Sequence, residues 1–193
     1  MPLGAHKVAL FGVAGVSTGD VVLLSTAVAS DDASIEFTLP TAYKQVVFGF
    51  YNIVPSTSPG DHLLFDCSVS GSYGTTKTTT FFRAYHTESD SLTALQYVTG
   101  LDQAQTTNNQ QLMPDIGSGA DESGAGTLTL FSPASTTYVK HFYGRFSYYY
   151  SADYAMDVYP AGYFNVTDPL DGIKFSADSG NISSGTIKMW GIK

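Results

Sequence analysis

An all-β fold, an antiparallel two-sheet β-sandwich of jelly-roll type, is what three features of this 193-residue sequence predict. Apolar and polar residues alternate with period two in stretch after stretch, the period of a half-buried strand. Those stretches are short and are divided by Gly, Ser, Asn, Asp and Pro, the residues of turns. Nowhere does an apolar stripe recur at helical spacing. Charge is scarce too: 13% of residues are Asp, Glu, Lys or Arg, against an ordinary share of about 25%. Polarity resides instead in Ser, Thr, Asn, Gln and Gly, which suit strand faces and turns better than helices coated with Lys and Glu.

The opening segment, "MPLGAHKVALFGVAGVSTGD", is largely apolar from Val8 to Val16 but interrupted by Gly12 and Gly15. It is too short for a membrane span of about 20 residues and shows no convincing cleavage site. Residues 1–19 are therefore read as an N-terminal arm or edge segment, and residues 20–193 as one β-sandwich domain of a soluble chain with no membrane insertion. "ASIEFTL" sets Ile35, Phe37 and Leu39 against Ser34, Glu36 and Thr38, and Pro40 ends it. "KQVVFGFYNI" is apolar on both faces, with Val46, Phe48 and Phe50 opposite Val47, Tyr51 and Ile53, as in a strand central to a sandwich. A Pro and Gly loop follows, Pro55 to Asp61.

Further strands are expected at "HLLFDCSV", "TKTTTFFRAYH", "SLTALQYV", "GTLTLF", "TTYVKHFYGRFSYYY", "GIKFSA" and "GTIKMWGI". The span from Gly100 to Gly126 has few β-branched residues and much Gly and Asn, and is read as one long irregular loop. The chain finishes on Ile187, Met189 and Trp190, a run expected to form a buried last strand, because an undocked terminus is ordinarily polar and frayed.

Nine Lys and Arg against seventeen Asp and Glu give a net charge of −8. A surface of that sign repels phosphate backbones, so nucleic acid is not an expected partner. Cys67 is the only cysteine, which excludes an internal disulfide and a multi-cysteine metal site; its alternation with Leu63, Phe65 and Val69 marks an inert core thiol. No zinc-protease helix motif, Walker loop or dinucleotide fingerprint is present. "FGVAGVSTGD" is glycine-rich but lacks the Lys-Ser/Thr pair that would hold a nucleotide. His6, His62, His86 and His141 are scattered; His86 and His141 fall in strand-like runs and could meet across a sheet, but no third ligand is evident. Loop carboxylates such as Asp121 and Glu122, or Asp168 and Asp171, have a spacing diagnostic of neither a glycosidase pair nor a calcium site. No catalytic residue, cofactor or metal is assigned, and the protein is read as a non-enzyme.

The densest local feature is "RFSYYYSADYAMDVYPAGYF", with Tyr148, Tyr149, Tyr150, Tyr154, Tyr159 and Tyr163 within a short span. Alternation requires Tyr149 to face away from Tyr148 and Tyr150. Tyr148, Tyr150 and Tyr154 are the candidate contact residues, for a subunit interface or for a glycan. Ordinary half-buried strand tyrosines would give the same pattern. The interface is the preferred use, since tyrosines are frequent hot spots and no acidic or amide group is fixed beside these three in the sequence.

Two stretches carry a resemblance. Phe37 to Gly74 runs as strand, Tyr-centred turn, aliphatic and aromatic strand ending near Asn52, Pro/Ser/Thr loop, alternating strand and Gly-rich turn. Gly172 to Lys193 ends in Gly-x-Ile-x-hydrophobic-aromatic-Gly. Both resemble surface modules of tailed-bacteriophage particles, such as tail-fibre and decoration proteins of marine phages, over roughly Asp20 to Lys193. Trp190 stands where that family more often has Tyr. The resemblance implies a non-enzymatic structural protein on the exterior of a virion, on capsid or tail, whose partners are other virion proteins and itself. A homo-oligomer is expected, a trimer by the three-fold symmetry of such appendages. The alternative is a carbohydrate-binding module of a tail fibre that recognises a host surface glycan.

Overall fold

In the computed structural model, which describes residues 20–57 and 60–193, the chain is all-β and its strands are antiparallel. The predicted arm over residues 1–19 lies outside the described residues. Thirteen strands follow one another: β1 (Val21–Asp32), β2 (Ser34–Thr38), β3 (Gln45–Pro55), β4 (Asp61–Ser68), β5 (Lys77–Thr87), β6 (Thr93–Tyr97), β7 (Ala104–Thr106), β8 (Gln110–Ile116), β9 (Gly124–Phe131), β10 (Lys140–Tyr150), β11 (Tyr154–Phe164), β12 (Gly172–Ala177) and β13 (Ile182–Ile192). All thirteen belong to one hydrogen-bonded sheet, which folds over on itself into two layers. The larger runs β1-β13-β3-β9-β10-β11-β5, with β7 and β6 on successive stretches of the far edge of β5, at Lys77–Thr78 and Phe82–His86. The smaller runs β8-β4-β12-β2. A single bridge, Tyr150 to Ile116, joins the layers at one corner, and at another the chain passes from β1 into β2 through Ala33 alone.

Phenylalanines hold the layers together. Phe175 of β12 lies edge-on to Phe48 and Phe50 of β3, at 5.3 and 5.0 Å, and Phe65 of β4 meets Phe142 of β10 at 5.0 Å. Cys67 is fully buried beside them, and burial pushes its thiol pKa well up, with Asp66 adding to the rise and Lys77 opposing it. Ile35, Phe37 and Leu39 point inward as their alternation requires.

Four strands escaped the periodicity. The expected loop over Gly100–Gly126 contains β7, β8 and the start of β9. Gln110 in β8 is fully buried and satisfied: its amide accepts from Thr79 Oγ1 and donates to the carbonyls of Leu101 and Gln111. β11 is a central strand although Pro160 sits in it, and a proline argues against that placement because it cannot donate to the ladder. Among the described residues β1 forms the edge of the larger layer.

The register of β3 slips between Phe50 and Ile53. Asn52 has φ 51°, and Gly185 opposite, in β13, has φ 127°. These paired irregularities turn Ile53 back to the inner face, where it is 1% exposed, so Ile53 shares a face with Phe48 and Phe50 and not with Val47. The last strand also departs from expectation. Ile187 and Met189 are in the core, but Trp190 lies on the opposite face, partly exposed, over Gly49. Gly191 has no room for a side chain because the Tyr43 ring covers it. The Tyr-centred turn and the terminal glycine motif are thus one contact.

Candidate functional site

The candidate tyrosines divide. Tyr148, on the inner face of β10, belongs to the core at 4% exposure. Burial raises its pKa well above that of a free phenol, and its hydroxyl has no hydrogen-bond partner among the described residues. Tyr150 and Tyr154 are half-buried and directly opposite across the β10–β11 hairpin, with stacked rings 5.2 Å apart. Tyr154 also stacks on Tyr85 at 5.6 Å, and the Arg83 guanidinium lies 5.6 Å from the Tyr85 ring. Tyr154 therefore has both ring faces occupied. Tyr149 faces the other way, as alternation demands, and its hydroxyl donates to Asp153, a bond that raises its pKa.

The outer face of the larger layer presents aromatic residues that the sequence did not single out as contacts. Tyr159, Phe82 and Tyr97 are register partners across β11, β5 and β6. Phe82 and Tyr159 stack at 4.6 Å with planes 6° apart, and the Arg145 guanidinium lies 5.2 Å from the Tyr159 ring. Asp157 accepts from Arg145 Nε and Nη2 and from the Tyr159 hydroxyl; Asp102 accepts from Tyr97. The signal was available: in β5, β10 and β11 the residues alternating with the core positions are Phe82, Tyr143, Tyr159 and Tyr163.

The bond from Arg145 holds the Asp157 carboxyl below its ordinary range, with Tyr159 helping and burial opposing. A depressed carboxylate stabilises the fold above its unfolded pKa, and that contribution disappears as pH falls through the folded value. Asp157→Asn is thus expected to lower the melting temperature slightly at neutral pH, and the gap should close below about pH 4. The effect is small because Arg145 is mostly exposed. Parallel thermal scans of the two proteins from neutral to acid pH check it.

Near this ladder the same face sinks into a 390 Å³ depression bordered by Phe131, His141, Tyr143 and Tyr163 over Ala161 and Gly162. The edge strand β1 is a second notable surface. Among the described residues it pairs with β13 only, and from Val21 to Ser30 it carries no charge and no proline. Val21, Leu23 and Val28 are 58%, 51% and 69% exposed along it.

Ionisable groups elsewhere serve the fold. Lys77 and Asp66 pair at 3.0 Å, sealed from solvent; Lys77 Nζ also donates to the Asn108 carbonyl, and Asp66 accepts from the amides of Cys67 and Gly74. Lys140, equally buried, donates to the carbonyls of Val166 and Asp168; burial lowers its pKa, and Asp168 partly offsets this. His86 and His141 do not meet: β11 separates their strands, and His86 bonds Asp90 in its own turn. Among the described residues no three His, Cys, Asp or Glu side chains come together as metal ligands would.

Compared with known proteins, the chain matches no family model, no curated sequence and no solved structure.

Proposed function

We propose that the chain is a non-enzymatic structural subunit of a particle exterior, of the tailed-phage kind its motifs resemble, and that it works by joining copies of itself and neighbouring particle proteins. The observation that carries this reading is the β1 edge, which among the described residues pairs with β13 only. Folded monomers blunt such edges with lysines, prolines, bulges or covering loops, because an open ladder recruits another chain. β1 has one bulge, at Leu24, and otherwise no charge from Val21 to Ser30, in a chain of net charge −8. Between copies that repel one another, a neutral apolar segment is where contact costs least. A heterologous contact, β1 of one copy against a different edge of the next, gives a ring of three, the number expected from the resemblance, when each copy is turned by a third of a revolution from the last.

Sedimentation of the full chain across the micromolar range is expected to show a trimer. Leu23→Lys combined with Val28→Lys places two charges on the edge at exposed positions, and should give a folded monomer with an unchanged β-sheet spectrum. A wild-type monomer at every concentration would remove the self-association reading. A two-fold dimer would keep the edge contact and replace the three-fold arrangement.

A further inference from the structure

Stacking on a sugar needs an aromatic face that nothing else covers, since the face of the ring carries the negative charge that attracts pyranose C–H groups. Tyr154 fails that requirement, sandwiched between Tyr150 and Tyr85, and Phe82 and Tyr159 turn faces on each other. The depression on the outer face meets it. Tyr143, Ala161 and Thr80 are aligned across β10, β11 and β5, so the centre of an aromatic surface is occupied only by a methyl group. Around it, Phe131 and Tyr143 are tilted by 38° and His141 and Tyr163 by 59°, so neither pair is stacked face on face. The volume, 390 Å³, falls within the range of about 300–1,000 Å³ typical of small-ligand sites.

We propose that this depression binds a neutral pyranose presented by a glycan. Its lining holds no carboxylate, ammonium or guanidinium, so an acidic sugar would find no cation there on a chain of net charge −8. The hydroxyls of Tyr143 and Tyr163 and the imidazole of His141 supply the hydrogen-bonding groups that a neutral sugar needs, while Thr78 Oγ1 already accepts from Gln105 and Thr80 Oγ1 donates to the Ala161 carbonyl. A peptide is less suited: β10, β11 and β5 are each paired on both sides, leaving no free ladder for an added strand. This assigns sugar recognition to Tyr143 and Tyr163 in place of Tyr148, Tyr150 and Tyr154, and it stands independently of the self-association reading.

The test is a glycan array probed with the full chain, carrying neutral glycans beside sialylated and sulfated ones, followed by titration calorimetry with the best neutral oligosaccharide. Neutral glycans are expected to bind. Tyr163→Ala, which removes a ring wall, and Ala161→Phe, which fills the floor, should each weaken binding about tenfold or more, with melting temperature unchanged. Absence of neutral binding, a preference for acidic glycans, or affinity retained in both variants would overturn the proposal. The Leu23→Lys/Val28→Lys protein leaves the depression intact, so in calorimetry it should bind sugar per subunit as wild type does, and the two readings fail separately.

Discussion

Replacing Phe175 by Ala is expected to destabilise the fold by about 3–5 kcal/mol, near the largest cost a single core truncation produces. Phe175 is fully buried in β12, and its ring lies within 6.4 Å, centroid to centroid, of Phe37, Phe48, Phe50 and Phe65. These neighbours come from both layers, so truncation opens a cavity at the layer junction, where neither backbone can move in without breaking its own ladder. Phe175→Leu keeps most of the volume and should cost much less. Urea unfolding followed by Trp190 fluorescence measures both. Similar small losses in the two variants would mean that the interior closes around the gap and that the aromatic cluster is not what joins the layers.

Lys77→Met is expected to cost a comparable amount, about 3–5 kcal/mol, for a different reason. The substitution leaves the Asp66 carboxylate, 1% exposed, without its ammonium. The amides of Cys67 and Gly74 still donate to that carboxylate, but they do not neutralise it in a medium where solvent cannot. Converting both partners, Lys77→Met with Asp66→Leu, removes the stranded charge and should recover part of the loss, though the Gly74 turn then loses its acceptor. A double-mutant cycle in urea decides the matter. If the single variant costs no more than an ordinary surface change, water must reach the pair.

Alternation fixed which side chains share a face wherever the ladder is regular. Ile35, Phe37 and Leu39 go inward together, and Tyr149 opposes Tyr148 and Tyr150, because successive residues of a pleated strand must point to opposite sides. The pattern breaks where backbone geometry or a distant partner intervenes. The bulge at Asn52 reverses the phase of Ile53, and β8 becomes a strand because β4 and buried partners for Gln110 are there to receive it.

For the candidate contacts, residue order alone was enough to establish an all-β chain, a core thiol at Cys67 and a dense set of tyrosines sorted by parity into two groups. Which group is covered was settled by long-range packing. Parity is a local property of one strand, whereas burial depends on where the second layer, drawn from β2, β4, β8 and β12, comes to rest. That layer closes over Tyr148, on the side of β10 that also carries Phe142 and Phe146, and leaves Tyr143 52% exposed on the side that carries His141, Arg145 and Ser147.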